Sequence, residues 1–80
     1  MAETRNVNLP DLGEVDEVRI VGWLKRLGEP VAEGEDLLEV ETEKTTFVVP
    51  SPARGRLARI AAQAGDRVKP GGLLGEIEAA

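Results

Sequence analysis

At 80 residues the chain has room for one domain with one core, and 41% hydrophobic with 31% charged residues excludes both a disordered polyanion and a membrane segment. No uncharged run is long enough to cross a bilayer, the Met1 end has no signal-peptide pattern, and secretion is not expected. A net charge of −5 argues against nucleic-acid or anionic-membrane partners. The lack of Cys and His removes thiolate and imidazole metal sites, disulfides, nucleophilic relays and any intrinsic redox couple.

Val7 and Leu9 are the first candidates for the core. Val18–Leu27 follows, with apolar residues at 18, 20, 21, 23, 24 and 27 that fit a helical face as well as a strand. β-branched Val18, Ile20 and Val21 and the interior Gly22 favour the strand, with Lys25 and Arg26 as solvated charges at its end. Trp23 reads as a core or rim residue. Gly28-Glu29, isolated Val31 and Gly34 mark tight turns. Leu37–Thr42 is the next strand, alternating in Leu38-Glu39-Val40-Glu41. Thr45–Val49 is another, closed by Pro50-Ser51-Pro52, which cannot donate to an interior ladder. The Gly55–Ala64 stretch leads into Gly65-Asp66, Val68, Gly71 and a last short strand ending in Glu78. The expected core is Val7, Leu9, Ile20, Leu27, Val31, Leu38, Val40, Val48, Ile60, Val68, Leu74 and Ile77. Arg54, Arg56 and Arg59 read as a solvated strand face rather than a basic binding strip.

A displacement of 37 positions aligns Arg19 with Arg56, Gly28 with Gly65, Val31 with Val68, Gly34 with Gly71, Leu37 with Leu74, Glu39 with Glu76 and Glu41 with Glu78. Two copies are too few for a solenoid, so two halves packed about a pseudo-two-fold axis are expected. Turn signals at this spacing indicate an all-β domain.

The chemical inventory points to a binding or carrier role. Carboxylates, arginines and three lysines remain, and any reactive group would be supplied from outside the chain. No catalytic residue and no metal site is expected. Glu43-Lys44 forms the tip between two strands without Gly or Asn, so a type I turn in a slightly longer loop is expected rather than type I′ or II′. That places Lys44 on a turn clamped by two strands and pointing into water. By composition alone such a lysine is a solubilising charge.

The surrounding residues change that reading. Glu41-Thr42-Glu43-Lys44-Thr45, Val48-Val49-Pro50-Ser51-Pro52, Leu9-Pro10-Asp11-Leu12-Gly13-Glu14, Trp23-Leu24 before Gly28, and Gly65-Asp66 with Val68 together resemble the lipoyl-attachment pattern. The resemblance is to lipoyl domains of the acyltransferase component of 2-oxo acid dehydrogenase complexes, and it runs from about Val7 to Glu78. It implies a flattened β-barrel (a barrel-sandwich hybrid) of two four-stranded antiparallel sheets with quasi-two-fold symmetry. Residues 1–80 would be a single carrier domain, ordered over about 5–78. The attachment lysine would lie at one end and the termini at the other. The chain would be a fragment of a larger acyltransferase or a stand-alone carrier, monomeric in isolation, cytoplasmic or in the mitochondrial matrix.

The same resemblance implies lipoic acid joined covalently to Lys44, flanked on the turn by Glu43 and Thr45, after the action of a lipoate-attaching ligase or transferase. The implied partners are a thiamine-diphosphate decarboxylase, the acyltransferase core and a flavin-containing dihydrolipoamide dehydrogenase. A biotin carboxyl carrier domain shares the fold but typically has Met on both sides of its lysine. A glycine-cleavage lipoyl protein is longer, and an unmodified structural adaptor of the same fold is the remaining alternative. Many family members have Asp before the lysine and Ala after it, so Glu43 and Thr45 are mild departures. Glu14–Val18 is short of a Gly found in some members, in a region that resemblance places near the hairpin. Glu14, Asp16, Glu17, Glu41 and Glu43 read either as partner-steering or as solubilising charges.

Overall fold

The computed structural model describes residues 3–11, 13 and 15–79. Eight strands follow one another: β1 (Glu3–Asn8), β2 (Val18–Trp23), β3 (Pro30–Val31), β4 (Asp36–Glu41), β5 (Thr46–Pro50), β6 (Gly55–Ile60), β7 (Arg67–Val68) and β8 (Leu73–Ala79). They form two four-stranded antiparallel sheets, ordered β1-β8-β6-β3 and β5-β4-β2-β7, as expected.

The 37-residue repeat is visible bond by bond. Gly28 N–H donates to the Leu57 carbonyl at 2.7 Å, and Gly65 N–H donates to the Ile20 carbonyl at 2.8 Å. Leu57 N–H donates to the Glu29 carbonyl at 3.1 Å, and Ile20 N–H to the Asp66 carbonyl at 2.8 Å. Each half thereby places its two-residue strand on the other half's sheet, β3 beside β6 and β7 beside β2. Gly28 and Gly65 make the entry to these strands with φ of 85° and 92°, a conformation that costs an L side chain roughly 1 kcal/mol or more. The ladders even share an irregularity, between Ile20 and Gly22 in β2 and between Leu57 and Arg59 in β6.

The space between the sheets is filled by Val7, Leu9, Val18, Ile20, Val31, Leu37, Leu38, Val40, Val49, Leu57, Ala62, Leu74 and Ile77, all buried. This corrects the expected core in several places. Leu27 is 61% exposed, because β2 ends at Trp23 and Leu27 rides the turn that precedes Gly28. Val48 is exposed and Val49 is buried, since Val48 pairs with outward-facing Glu39 and Val49 with Leu38. Leu37 and Leu38 are both buried because a register shift between Asp36 and Leu38 breaks the alternation. Ile60 and Val68 pack against the core but are only partly covered, and Val18, Leu57 and Ala62 join it. Trp23 is a rim residue, as read, with Nε1 donating to the Ala62 carbonyl at 2.7 Å. The arginines of the second half lie on a solvated face, with Arg59 bonded to Glu76 at 2.9 Å and Arg56 opposite Glu78.

Lys25 is more than a solvated strand end. Its Nζ lies 2.8 Å from Glu35 and 3.6 Å from Glu29, tying the β2–β3 turn to the turn before β4. The hydrogen bond from Lys25, assisted by the Ala32 N–H, holds the Glu35 carboxyl below the usual glutamate range. The hydrogen bond to Glu35 holds the Lys25 ammonium above its ordinary value, against partial desolvation.

Two outcomes follow from this packing. Val40→Ala is expected to cost on the order of 1–3 kcal/mol while Val48→Ala changes stability by about 0.5 kcal/mol or less, read from urea-denaturation midpoints; equal shifts would contradict the register. The Glu35 contribution is fully present above the unfolded glutamate pKa, about 4.3, and is lost as pH falls through the lower folded value. The Lys25 contribution is lost at the other extreme, as pH rises through its raised value. Lys25→Met is therefore expected to flatten the acid limb of the stability–pH profile, and an unchanged limb would show the ion pair to be energetically silent.

Candidate functional site

β4 carries the chain outward to Glu41, residues 42–45 reverse it, and β5 returns from Thr46, which pairs with Glu41. The stem is held from within by Val40, buried between Ile20 in the neighbouring strand and Phe47 across the hairpin. β5 then leads away from the tip, and the next strand begins at Gly55, which lies opposite Ala79, itself opposite Glu3. The hairpin apex and the two ends of the described chain therefore occupy opposite ends of a body about 39 Å long and 18–19 Å across.

Glu43, Lys44 and Thr45, the three residues singled out from sequence, are all exposed at this apex. Neither tip residue has positive φ, which excludes a type I′ or II′ turn, as the absence of Gly and Asn predicts. The backbone is instead closed by Thr42. Thr42 N–H donates to the Thr45 carbonyl at 2.8 Å, and the Thr42 hydroxyl donates to the same carbonyl at 3.0 Å. Thr42 Oγ1 accepts the amides of Lys44 at 3.3 Å and Thr45 at 3.2 Å. Sequence reading assigned Thr42 no role, although a Thr at the entry to a Gly-free tip is the signal for a hydroxyl-closed turn.

A shallow cleft beside the apex is lined by Val15, Asp16, Glu17, Phe47, Arg67 and Lys69 together with the tip. The segment leading into β2 thus lies next to the hairpin, as the resemblance implied. Glu14 and Leu12 lie outside the described residues. Two ion pairs flank the tip, Arg19 to both carboxylate oxygens of Glu41 at 3.2 Å and Arg67 to Glu17 at 3.2 Å. Both are exposed and worth at most about 1 kcal/mol each. Among the described residues, Lys44, Glu43 and Asp16 take part in none of the ion pairs. The described residues include no cluster of three metal-ligating side chains.

Residues 5–77 match the family model described as biotin-requiring enzyme. The chain is 48% identical over 77 residues, 95% of its length, to the dihydrolipoyllysine-residue succinyltransferase component of the 2-oxoglutarate dehydrogenase complex of Bartonella vinsonii subsp. berkhoffii. It is 38% identical over 76 residues, 94% of its length, to the lipoamide acyltransferase component of the branched-chain alpha-keto acid dehydrogenase complex of Pseudomonas aeruginosa. It spans 19% and 18% of the lengths of these two relatives. The solution structure of the lipoyl domain of the 2-oxoglutarate dehydrogenase complex from Azotobacter vinelandii superimposes with a TM-score of 0.74 at 31% identity, covering 94% of this chain and 98% of that one. Eight strands in two sheets, the lysine at the hairpin apex and these likenesses agree: the chain belongs to the biotinyl/lipoyl-attachment family, and within it to the lipoyl domains found in acyltransferase components of 2-oxo acid dehydrogenase complexes.

Proposed function

We propose that Lys44 is the lipoyl-attachment residue, and that the chain serves as the carrier domain of a dihydrolipoamide acyltransferase. The observation that supports this is the combination of a fixed backbone and an unengaged side chain at the apex. Lys44 has its amide bonded to Thr42, while its side chain is exposed and enters none of the ion pairs among the described residues. Converting its ammonium to a neutral amide therefore removes none of the ion pairs among the described residues. Acylation of Lys25 would abolish its ion pairs with Glu29 and Glu35. Lys69 is exposed as well, but it lies in the β7–β8 connection beside Pro70 rather than at a hairpin apex.

In the attachment step the unprotonated Lys44 amine forms a C–N bond to the carboxyl carbon of an activated lipoyl group. The activating group, an adenylate in a ligase of the usual chemistry, leaves with the C–O bonding pair, and the amine loses a proton. Bound lipoic acid supplies the dithiol–disulfide chemistry that a chain without Cys lacks. The chain's own contribution is mechanical and electrostatic. It holds the anchor at the end opposite Glu3 and Ala79, so that a tethered domain presents it at high effective concentration to successive partners. Exposed Asp16 and Glu43 leave an acidic rim at the apex for those partners to meet.

The proposed partners are a lipoate-attaching enzyme, a thiamine-diphosphate decarboxylase, the acyltransferase core and dihydrolipoamide dehydrogenase. The two curated relatives belong to complexes acting on different 2-oxo acids, so the fold serves more than one of them. Biotin is disfavoured because Glu43 and Thr45, not Met, flank the lysine.

Intact-mass measurement after incubation with a lipoate ligase, ATP and lipoate tests the assignment. One lipoyl group is expected on the unsubstituted chain and on Lys69→Arg, and none on Lys44→Arg, whose Trp23 fluorescence and denaturation midpoint should be unchanged. Modification persisting in Lys44→Arg would defeat the assignment, and no modification of the unsubstituted chain would favour an unmodified adaptor.

A further inference from the structure

The Lys44 hairpin closes without positive φ at either tip residue, by the backbone bond from Thr42 N–H to the Thr45 carbonyl at 2.8 Å and by one side chain. Between the paired Glu41 and Thr46 the loop is four residues long, a length that closes around negative-φ tip residues, with its ends needing bonds of their own. Here the Thr45 amide is met by the Thr42 hydroxyl oxygen at 3.2 Å, and the Lys44 amide by the same oxygen at 3.3 Å. The hydroxyl hydrogen is directed to the Thr45 carbonyl at 3.0 Å. A hydroxyl has one donor and two acceptor positions, and all three are used. Residues 43–48 are all exposed, so apolar packing does little to hold the tip, and these bonds fix its backbone.

We propose that Thr42 is a positioning residue for modification: its hydroxyl restricts the tip to the conformation in which the Lys44 amine is offered to the attaching enzyme. The inference rests on the assignment of Lys44 as the attachment residue. An enzyme that grips the hairpin binds only the fraction of molecules with the competent tip, and its apparent affinity scales with that fraction. Loss of the hydroxyl leaves the Lys44 and Thr45 amides to water. Lys44 and Thr45 are exposed residues, so fold stability changes little while the tip gains alternative conformations. The effect therefore falls on recognition and not on folding.

The experiment compares the unsubstituted chain with Thr42→Val, which keeps the shape and removes the hydroxyl, and Thr42→Ser, which keeps the hydroxyl. Modification by a lipoate ligase is followed by intact mass over a range of domain concentrations. For Thr42→Val we expect a rise in KM for the domain of roughly ten-fold with an unchanged denaturation midpoint, and for Thr42→Ser a KM within about two-fold of the original. Backbone amide exchange at Lys44 and Thr45 should accelerate in Thr42→Val only. A Thr42→Val chain modified with the original KM would overturn the proposal, as would a Thr42→Ser chain as impaired as Thr42→Val. Should Thr42→Val fail to fold, the exchange rates of the unsubstituted chain decide: Lys44 and Thr45 amides slower than Glu43 support the clamp, and equal rates refute it. Failure of the unsubstituted chain to be modified at all would be a failure of the Lys44 assignment, which Lys44→Arg reads separately.

Discussion

The reciprocal exchange of backbone hydrogen bonds between Gly28-Glu29 and Leu57, and between Gly65-Asp66 and Ile20, is the constraint on which the architecture depends. Because each half supplies a strand to the other's sheet, neither four-stranded sheet is complete without both halves. An isolated three-stranded half would leave Val18, Ile20, Leu38 and Val40, or Leu57, Leu74 and Ile77, open to water. Burial of these side chains against each other contributes roughly 1.5–3 kcal/mol apiece, large against the stability expected of so small a domain. Exchange thus ties the two halves together in a chain without disulfides.

The same symmetry accounts for the position of the Lys44 hairpin. β4 and β8 are equivalent strands, and so are β5 and β1 by their places beside them. One pair is joined by the Lys44 hairpin, and the other is where Glu3 and Ala79 lie side by side. A domain linked through either end would therefore have its link at one extreme and Lys44 at the other. This geometry suits the proposed carrier role, since a group attached at the apex would clear the body of the domain.

Charge separates the lysines by role. Lys25 is committed to Glu35 and Glu29, with the ammonium held above and the Glu35 carboxyl held below their ordinary values by the bond between them. The arginines near the apex are committed as well, Arg19 to Glu41 and Arg67 to Glu17. Lys44 keeps a held backbone and a side chain that enters none of the ion pairs among the described residues. The proposed attachment calls for both, because acylation of a lysine in an ion pair works against the fold.

Much of this was legible in the order of residues. The 37-position repeat, the paired glycines, the alternation of Leu38-Glu39-Val40-Glu41 and the absence of Gly and Asn from the tip determined an all-β chain of two related halves with Lys44 on a negative-φ turn. These features are local, and they rest on backbone stereochemistry that each residue carries with it. What the tertiary structure decided was phase and partnership. Phe47-Val48-Val49 is apolar throughout, so only pairing with Val40, Glu39 and Leu38 selects which face turns inward, and a register shift buries both Leu37 and Leu38. Leu27 belongs to an apolar run but is carried outward by the turn at Gly28, and Lys25 gains its role only when the turn before β4 brings Glu35 to it. The Thr42 clamp likewise exists only once β4 and β5 bring Thr45 back across the hairpin. Contacts between residues distant in the chain depend on which strands meet and in what register, and that is set by the packing of the two halves against each other.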